Sequence, residues 1–369
     1  MAAATATLTS QIPGLDNPQT LSLNAGSASA PSVTLIKSDN INSINDFVVH
    51  QAQTIPNTPL IGYPGSELGA SDFVDYTASD LDAFADEAAK HLAQLGLRPK
   101  VGQGFHFCFR CPCTDAVQKA SSDKAEVVGL LGPSNLDYII AILALSRMGF
   151  SVLFLSTRLP TEAYIALLEK TECTRLVAAP KFTSTCSNIR ETYPLEDFPL
   201  LDRSIWSVKP AFASRFERQT QLIDEENTIA FIVHSSGSTG LPKPIYQTHR
   251  QCLSNYAVGS GMRAFVTLPL FHNHGLATMF RGMVTGKRTA VYNANLPLTN
   301  GHLVAAMKNA QFESFHCVPY ALKVLAETQD GVEQLAAAKL VLFGGSSCPD
   351  DLGDMLVQNG VNVVSHYGA

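Results

Sequence analysis

The segment His234–Pro244, HSSGSTGLPKP, holds the densest set of anion-binding groups in the chain. Gly237 and Gly240 admit positive φ and let backbone amides close on a ligand. The hydroxyls of Ser235, Ser236, Ser238 and Thr239 add donors, and Lys243 brings a mobile positive charge. Amides and hydroxyls converging after an apolar run, here IAFIV at 229–233, suit a polyphosphate. The spacing is not that of a Walker A loop, which requires GxxxxGK[ST]; here Leu241 and Pro242 separate Gly240 from Lys243, and Pro244 follows the lysine. A Gly/Ser/Thr/Pro cluster also fits a plain flexible loop.

Two further regions follow strand-like runs. LPLFHNHGL at 268–276 presents Phe271, His272 and His274. Taken alone, two histidines near a strand end suit a core or surface role better than a ligand site. Gly344, Gly345 and Ser346 follow KLVLF, and Ser365, His366, Tyr367 and Gly368 follow VNVV. Paired glycines there also fit a simple turn. The eight cysteines show no zinc or disulfide framework. Cys111 and Cys113 form one tight pair, with no second Cys or His pair at ligand spacing, so reduced thiols are expected.

The elements that must position these loops follow from periodicity. A helix is expected over 79–95, capped by Ser79 and stopped by Gly96, with Leu81, Phe84, Ala88, Leu92 and Leu95 on one face. A strand at 127–131, a helix from a Ser134 cap through Arg147, a Gly149 stop and a strand at 150–155 make a βαβ unit, whose strands should be parallel. A helix at 162–170 and a strand at 175–179 follow. Further strands are expected at 229–233, 264–268, 289–292, 314–318, 339–343 and 361–364, with helices at 320–328 and 350–358. This alternation predicts an α/β fold, with helices packed on mostly parallel sheets in two lobes joined by 181–224. Ligands in such folds bind at the carboxyl ends of strands, where all three loops fall.

Residues 97–125 break the rhythm and read as an atypical insertion, on the surface or from a retained intron. Residues 1–42 read as a disordered leader; its Ala/Ser/Thr-rich start has neither the basic n-region and apolar centre of a signal peptide nor the arginines of a transit peptide. A cytoplasmic protein is expected. With 46% hydrophobic and 16% charged residues, the chain of 369 can bury a sizeable core. A net charge of −6 without a basic cluster argues against nucleic-acid binding. No apolar run is long enough to span a membrane.

SSGSTGLPKP resembles the phosphate-binding signature of the adenylate-forming (AMP-binding) superfamily: acyl- and aryl-CoA ligases, luciferases and adenylation domains of nonribosomal peptide synthetases. LPLFHNHGL resembles its aromatic/His motif, and HYG its Tyr-Gly motif, in the same order. The resemblance runs from about residue 43 to the end, apart from 97–125. LALSRMGFSVLFLSTRLP, HSSGSTGLPKPIYQTHR and VLFGGSSCPDDLGDMLVQ are most similar to fungal synthetase-like enzymes, many of them carboxylic acid reductases.

The resemblance implies that superfamily's large N-terminal domain and ATP-dependent conversion of a carboxylic acid to an acyl-adenylate. Pyrophosphate would leave, Mg²⁺ would assist, and the acyl group would pass to CoA or to a carrier's phosphopantetheine thiol. Lys243 and His272 would be catalytic, with Ser235, Ser236, Gly237, Ser238, Thr239, Gly240 and Lys243 on the phosphates. Gly344, Gly345, Ser346, Tyr367 and Gly368 would hold adenine. Phe271, His272, His274, Gly344, Ser365 and His366 would line the pocket of a small acid, aryl or similar.

The family's Mg²⁺-binding glutamate would follow Ala369, so no metal ligand is assigned. By the resemblance the family's small C-terminal domain is expected to be absent from these residues, and carrier and reductase domains are expected in a full-length relative. A last strand at the terminus would lie partly uncovered, so a marginally stable chain with little activity by itself is expected. The alternatives are a catalytically incompetent fragment that binds nucleotide or a partner protein, or the product of a broken gene. The lysine spacing disfavours a P-loop kinase, and the absence of GxGxxG opening a helix disfavours a nicotinamide site.

Overall fold

The computed structural model describes residues 41–100, 120–122, 124–208, 214–218, 220–235 and 240–367. The leader up to residue 40, most of the 97–125 insertion with Cys111 and Cys113, the loop residues Ser236, Gly237, Ser238 and Thr239, and Gly368 lie outside these.

Along the chain come α1 (Ile44–Thr54), β1 (Pro59–Pro64), β2 (Phe73–Thr77), α2 (Ala78–Gln94), β3 (Ala120–Ser122), β4 (Val127–Leu131), α3 (Leu136–Met148) and β5 (Ser151–Phe154). Next are α4 (Thr161–Lys170), β6 (Arg175–Ala178), α5 (Thr183–Arg190), β7 (Glu196–Pro199), α6 (Arg203–Trp206), β8 (Thr220–Leu222), β9 (Ile229–His234), β10 (Pro244–Thr248) and α7 (His249–Tyr256). The chain continues with β11 (Ala264–Val266), α8 (Asn273–Thr285), β12 (Thr289–Val291), α9 (Asn300–Asn309), β13 (Ser314–Cys317), α10 (Pro319–Leu325), α11 (Gln329–Ala337), β14 (Leu340–Phe343), α12 (Asp350–Gln358) and β15 (Val363–Ser365).

The expected α/β architecture is present. A seven-stranded sheet runs β15-β14-β13-β11-β12-β1-β2, and a six-stranded sheet runs β10-β9-β5-β4-β6-β7. Each is parallel except at one edge, where β2 and β10 are antiparallel to their neighbours. β3 and β8 pair separately, so the end of the 97–125 segment is tied to the chain before β9.

The lobes are not successive stretches of chain. β1 and β2 join the sheet otherwise built by the second half, because β1 lies parallel beside β12. Nor is 181–224 simply a linker, since β7 forms an edge of the six-stranded sheet. Pro59, Gly62 and Pro64 obscure β1 in the sequence, and EDFP is too polar for a central strand but suits an edge.

One core joins the two sheets. Ile61 and Val291 of the larger sheet and Phe154 and Phe231 of the smaller share a cluster with α2, α3 and α8. The far face of the larger sheet packs α9–α12, and that of the smaller packs α4 and α5. α3 is buried on nearly every side, which explains why LDYIIAILALSRM is apolar around its whole circumference. Ile41 is also buried, so packing reaches into the end of the segment read as leader.

Two caps differ from expectation. Thr77, not Ser79, starts α2: its hydroxyl accepts from Asp80 N at 3.2 Å, and the Asp80 carboxylate accepts from Thr77 N at 3.1 Å. Asn135, not Ser134, caps α3, accepting from Tyr138 N at 3.0 Å. The Gly96 and Gly149 stops hold, with φ of 97° and 88°. The helix expected over 320–328 is present as α10 but ends at Leu325, and Thr328 starts a separate helix, α11, by accepting from Gly331 N at 3.1 Å.

Arg147 of α3 sets a stability test. Its guanidinium is buried against Asp82 and Asp86 of α2 and donates to Asn45 Oδ1 at 3.0 Å. Replacing it with methionine keeps the apolar stem and takes the buried cation from two carboxylates, which retain Arg215 and Lys90 as partners. Loss of the buried charge-assisted hydrogen bonds of Arg147, with those partners remaining, costs about 1.5–3 kcal/mol. Urea unfolding of Arg147→Met should show that loss; a change below about 1 kcal/mol would contradict it.

Candidate active site

The loop after β9 is closed by its own backbone. Ser235 N donates to Lys243 O at 3.0 Å, and Lys243 N donates to Ser235 Oγ at 3.2 Å. The antiparallel pairing of β9 with β10 brings these ends together, and Gly240 adopts a φ of 146° open only to glycine. The Lys243 side chain is exposed, with no carboxylate at ion-pair distance among the described residues. At the loop's base, buried His234 accepts from Ser156 N at 3.2 Å through Nε2 and sits 3.0 Å from Ser235 O through Nδ1, which fits a neutral ring protonated at Nδ1. Burial holds its pKa below the ordinary value.

The second loop lies across the cleft, after β11. Ser134, freed from capping α3, accepts from Leu270 N at 2.8 Å and fixes this loop to the end of β4. Gln247 of β10 donates to Asn273 Oδ1 at 3.2 Å, tying the first loop's exit strand to the start of α8. Gly275 is required, since a Cβ there would stand 2.6 Å from Pro269 O. Phe271 is buried, whereas His272 faces the cleft.

Together Phe271 and His272 line a cavity of about 210 Å³ at the carboxyl ends of β4, β5, β11 and β12, with Ser156, Arg158 and Lys181 on its other walls. Desolvation by these surroundings, then His234 and the Arg158 guanidinium, pull the His272 pKa down to about 4. Its imidazole is therefore neutral at physiological pH and can accept or donate one hydrogen bond.

A file of imidazoles links the regions. His234 and His272 have ring centroids 6.3 Å apart. His274, two residues on, lies 4.6 Å from the ring of His366 and places Nε2 3.3 Å from Nδ1 of His316. His316 Nε2 is 3.2 Å from Ser314 Oγ. Burial depresses all three, His274 to about 4 and His316 to about 3, with neighbouring imidazoles and Arg281 adding to the shift.

Gly344 lets this cluster form, because a Cβ there would stand 2.7 Å from His366 O. His366 N donates to Phe343 O at 2.8 Å, and the next residue, Tyr367, leaves 93% of its surface exposed. Gly345 has a φ of 90°, while Ser346 and Ser365 are exposed.

The contacts among the described site residues form two groups, the Ser235–Lys243 loop with His234 and His272, and His274 with Gly344 and His366, connected by the short segment from His272 to His274. The residues assigned to an acid pocket split in two, with Phe271 and His272 on the cavity and His274, Gly344 and His366 in the imidazole cluster. His316, Ser134, Arg158 and Lys181 were not anticipated. Ser134 follows Gly-Pro at a strand end, a signal for a loop support as much as for a cap. His316, inside the strand SFHC, carries no local signal. Among the described residues no group of three or more His, Cys, Asp or Glu is arranged to hold a metal ion.

A family model described as AMP-binding enzyme matches residues 116–369. An adenylate-forming reductase of Aspergillus terreus is 29% identical over 66% of this chain and 24% of its own length. A carboxylic acid reductase of Neurospora crassa is 26% identical over 69% of this chain and 26% of its own. The chain therefore spans about a quarter of the length of these curated relatives. Among solved structures, the O-succinylbenzoate coenzyme A synthetase of Bacillus subtilis in complex with AMP superposes with a TM-score of 0.65 at 18% identity, covering 88% of this chain and 73% of that one. At that identity the match establishes a shared fold.

Proposed function

The chain belongs to the AMP-binding enzyme family, and on that premise we propose that its cleft activates a small carboxylic acid, aryl or similar, with ATP, forming acyl-adenylate and releasing pyrophosphate. The observation that supports this reading is the closed loop bearing an exposed Lys243 with no described carboxylate at ion-pair distance, joined to the His272 cavity through the neighbouring rings of His234 and His272. Two anions must meet for a carboxylate to attack the α-phosphorus. The loop amides and the Lys243 ammonium offset that repulsion, and more so as charge builds in the transition state. His272, neutral and fixed at the start of α8, orients the carboxylate without protonating it. The exposed Tyr367 ring stacks on adenine, with Gly344, Gly345 and Ser346 beside it.

Mg²⁺ would screen the triphosphate. The described residues offer no ligand set for it, so no step is assigned to the ion. The acyl group passes to the thiol of CoA or of a carrier's phosphopantetheine, and carrier and reductase domains are the partners we propose, by analogy with the relatives. We place this chemistry in the cytoplasm, with the buried free thiols of Cys173, Cys186, Cys252 and Cys317 as support. No described helix is long and apolar enough to cross a membrane.

The test is AMP binding together with acid-dependent ATP–pyrophosphate exchange across an acid library, with acyl-AMP detected by mass spectrometry. Acyl-AMP from at least one acid is expected. Binding of AMP without exchange would favour a nucleotide-binding role without catalysis, and absence of both would overturn the reading. Gly344→Ala gives a second check. Its new Cβ would push the His366 carbonyl and shift Tyr367, at a cost of about 1–3 kcal/mol. Affinity for AMP should fall about tenfold or more, a change of roughly 1.4 kcal/mol. Unchanged affinity would detach Tyr367 from the nucleotide.

A further inference from the structure

α8 carries His274, Thr278 and Arg281 on one face, four and three residues apart. This face runs from the His272 end of the cleft towards a second, smaller cavity of about 90 Å³. Arg281, Thr278 and His316 line that cavity, with Leu340 and Leu342 opposite.

The state of Arg281 is unusual. It is half-buried, and among the described residues its guanidinium donates to the neutral Asn255 alone, from Nη2 to Oδ1 at 2.6 Å and from Nε to the carbonyl at 3.4 Å. Among those residues Nη1 makes no hydrogen bond and no carboxylate lies at ion-pair distance. The titratable groups around it are Tyr256, His274, His316 and His366, none an anion at neutral pH. A guanidinium withdrawn from water without a counter-charge is costly, and a bound anion relieves that cost.

We propose that the acid activated at this site carries a second anionic group, a distal carboxylate, which is bound by Arg281 with help from Thr278 and His316. This rests on the reading of the cleft as an acid-activating site. The seven steps from His274, beside the reacting end, to Arg281 rise roughly 10 Å along the helix, so the carboxylates of a matched diacid lie about that far apart. His274, two residues from His272 of the first cavity, contacts His316 of the second, Nε2 to Nδ1 at 3.3 Å, so its half-buried ring would have to turn for one acid to reach both.

The experiment measures binding of suberate and sebacate against octanoate and decanoate, alongside AMP, to the chain and to Arg281→Met and Arg281→Lys. A charge-assisted hydrogen bond contributes about 1.5–3 kcal/mol, so at least one diacid should bind about tenfold or more tighter than its monoacid. Arg281→Met should abolish that preference with AMP affinity unchanged, and Arg281→Lys should retain part of it. Equal affinity for diacids and monoacids, or a preference that survives in Arg281→Met, overturns this inference alone. Loss of AMP binding in the unaltered chain overturns the reading of the cleft and this inference with it. Should Arg281→Met fail to fold, the ratio in the unaltered chain and the Lys variant decide.

Discussion

Replacing Lys243 with alanine is expected to lower acid-dependent ATP–pyrophosphate exchange by about 100-fold or more, the 2.7–4 kcal/mol that one preorganised electrostatic contact typically supplies. The same substitution should leave stability within about 0.5 kcal/mol of the unaltered protein. Both halves follow from how the loop is closed. Its backbone N and O, not its ammonium, make the contacts with Ser235, so alanine keeps the geometry and removes only the charge. The side chain is exposed and pairs with no carboxylate among the described residues, unlike Arg147, which is buried against two. Exchange should be measured in the longest polypeptide that carries this sequence, and affinity for ATP in parallel. Lys243→Arg should recover part of the activity, since the charge returns on a broader head. Exchange within a factor of about three of the unaltered protein would mean that the ammonium does not meet the phosphates in the transition state.

The candidate loop stands out in the sequence because its residue types are concentrated locally. The proposed phosphate loop combines glycines, hydroxyls and a lysine within a dozen residues, and these types are improbable together unless the backbone requires them. The buried strands were visible for a similar reason. VVGLL and IAFIV are unbroken apolar runs, as central parallel strands must be, and β4 falls at the expected 127–131. Sheet order was not visible. Nothing in PLIGYP announces that it lies beside β12, more than 200 residues away, and the pairing pays off only in the assembled core. Caps failed by one or two residues because Ser79 and Ser134 are as competent chemically as Thr77 and Asn135. The choice falls to where strand geometry ends. His316 was hidden because a histidine in a buried strand has no meaning until α8 lays His274 and Thr278 over it.

Those buried imidazoles produce the second large effect, a steep loss of stability on mild acidification. His249, His272 and His274 have pKa values of about 4 in the fold and His316 about 3, against an ordinary 6.5. A histidine with a depressed folded pKa stabilises the native state fully above 6.5, and that contribution is lost as pH falls towards the folded value. His249 shows the cause: it is buried, and its Nδ1 accepts from Ile44 N at 3.1 Å, so protonation removes the lone pair that holds the start of α1. Asp137 acts in reverse. Burial raises its pKa to about 6, although Trp206 Nε1 donates to it at 3.1 Å, so it gains a proton in the fold and offsets one histidine. His272 counts for less than its shift suggests, because its ring faces the cleft. Two to three net protons at about pH 5 correspond to roughly 3–4 kcal/mol per pH unit, comparable with the whole stability of many domains. Urea unfolding at about pH 7, 6, 5 and 4.5 should show a flat plateau and then a collapse between about 6 and 4.5. His249→Gln, which keeps a side-chain acceptor near Ile44 N and cannot titrate, should shallow the slope by up to about 1.4 kcal/mol per pH unit. A stability that rises or stays level down to about pH 4.5 would mean that these rings are hydrated in solution, and the imidazole file would lose its place at the centre of the site.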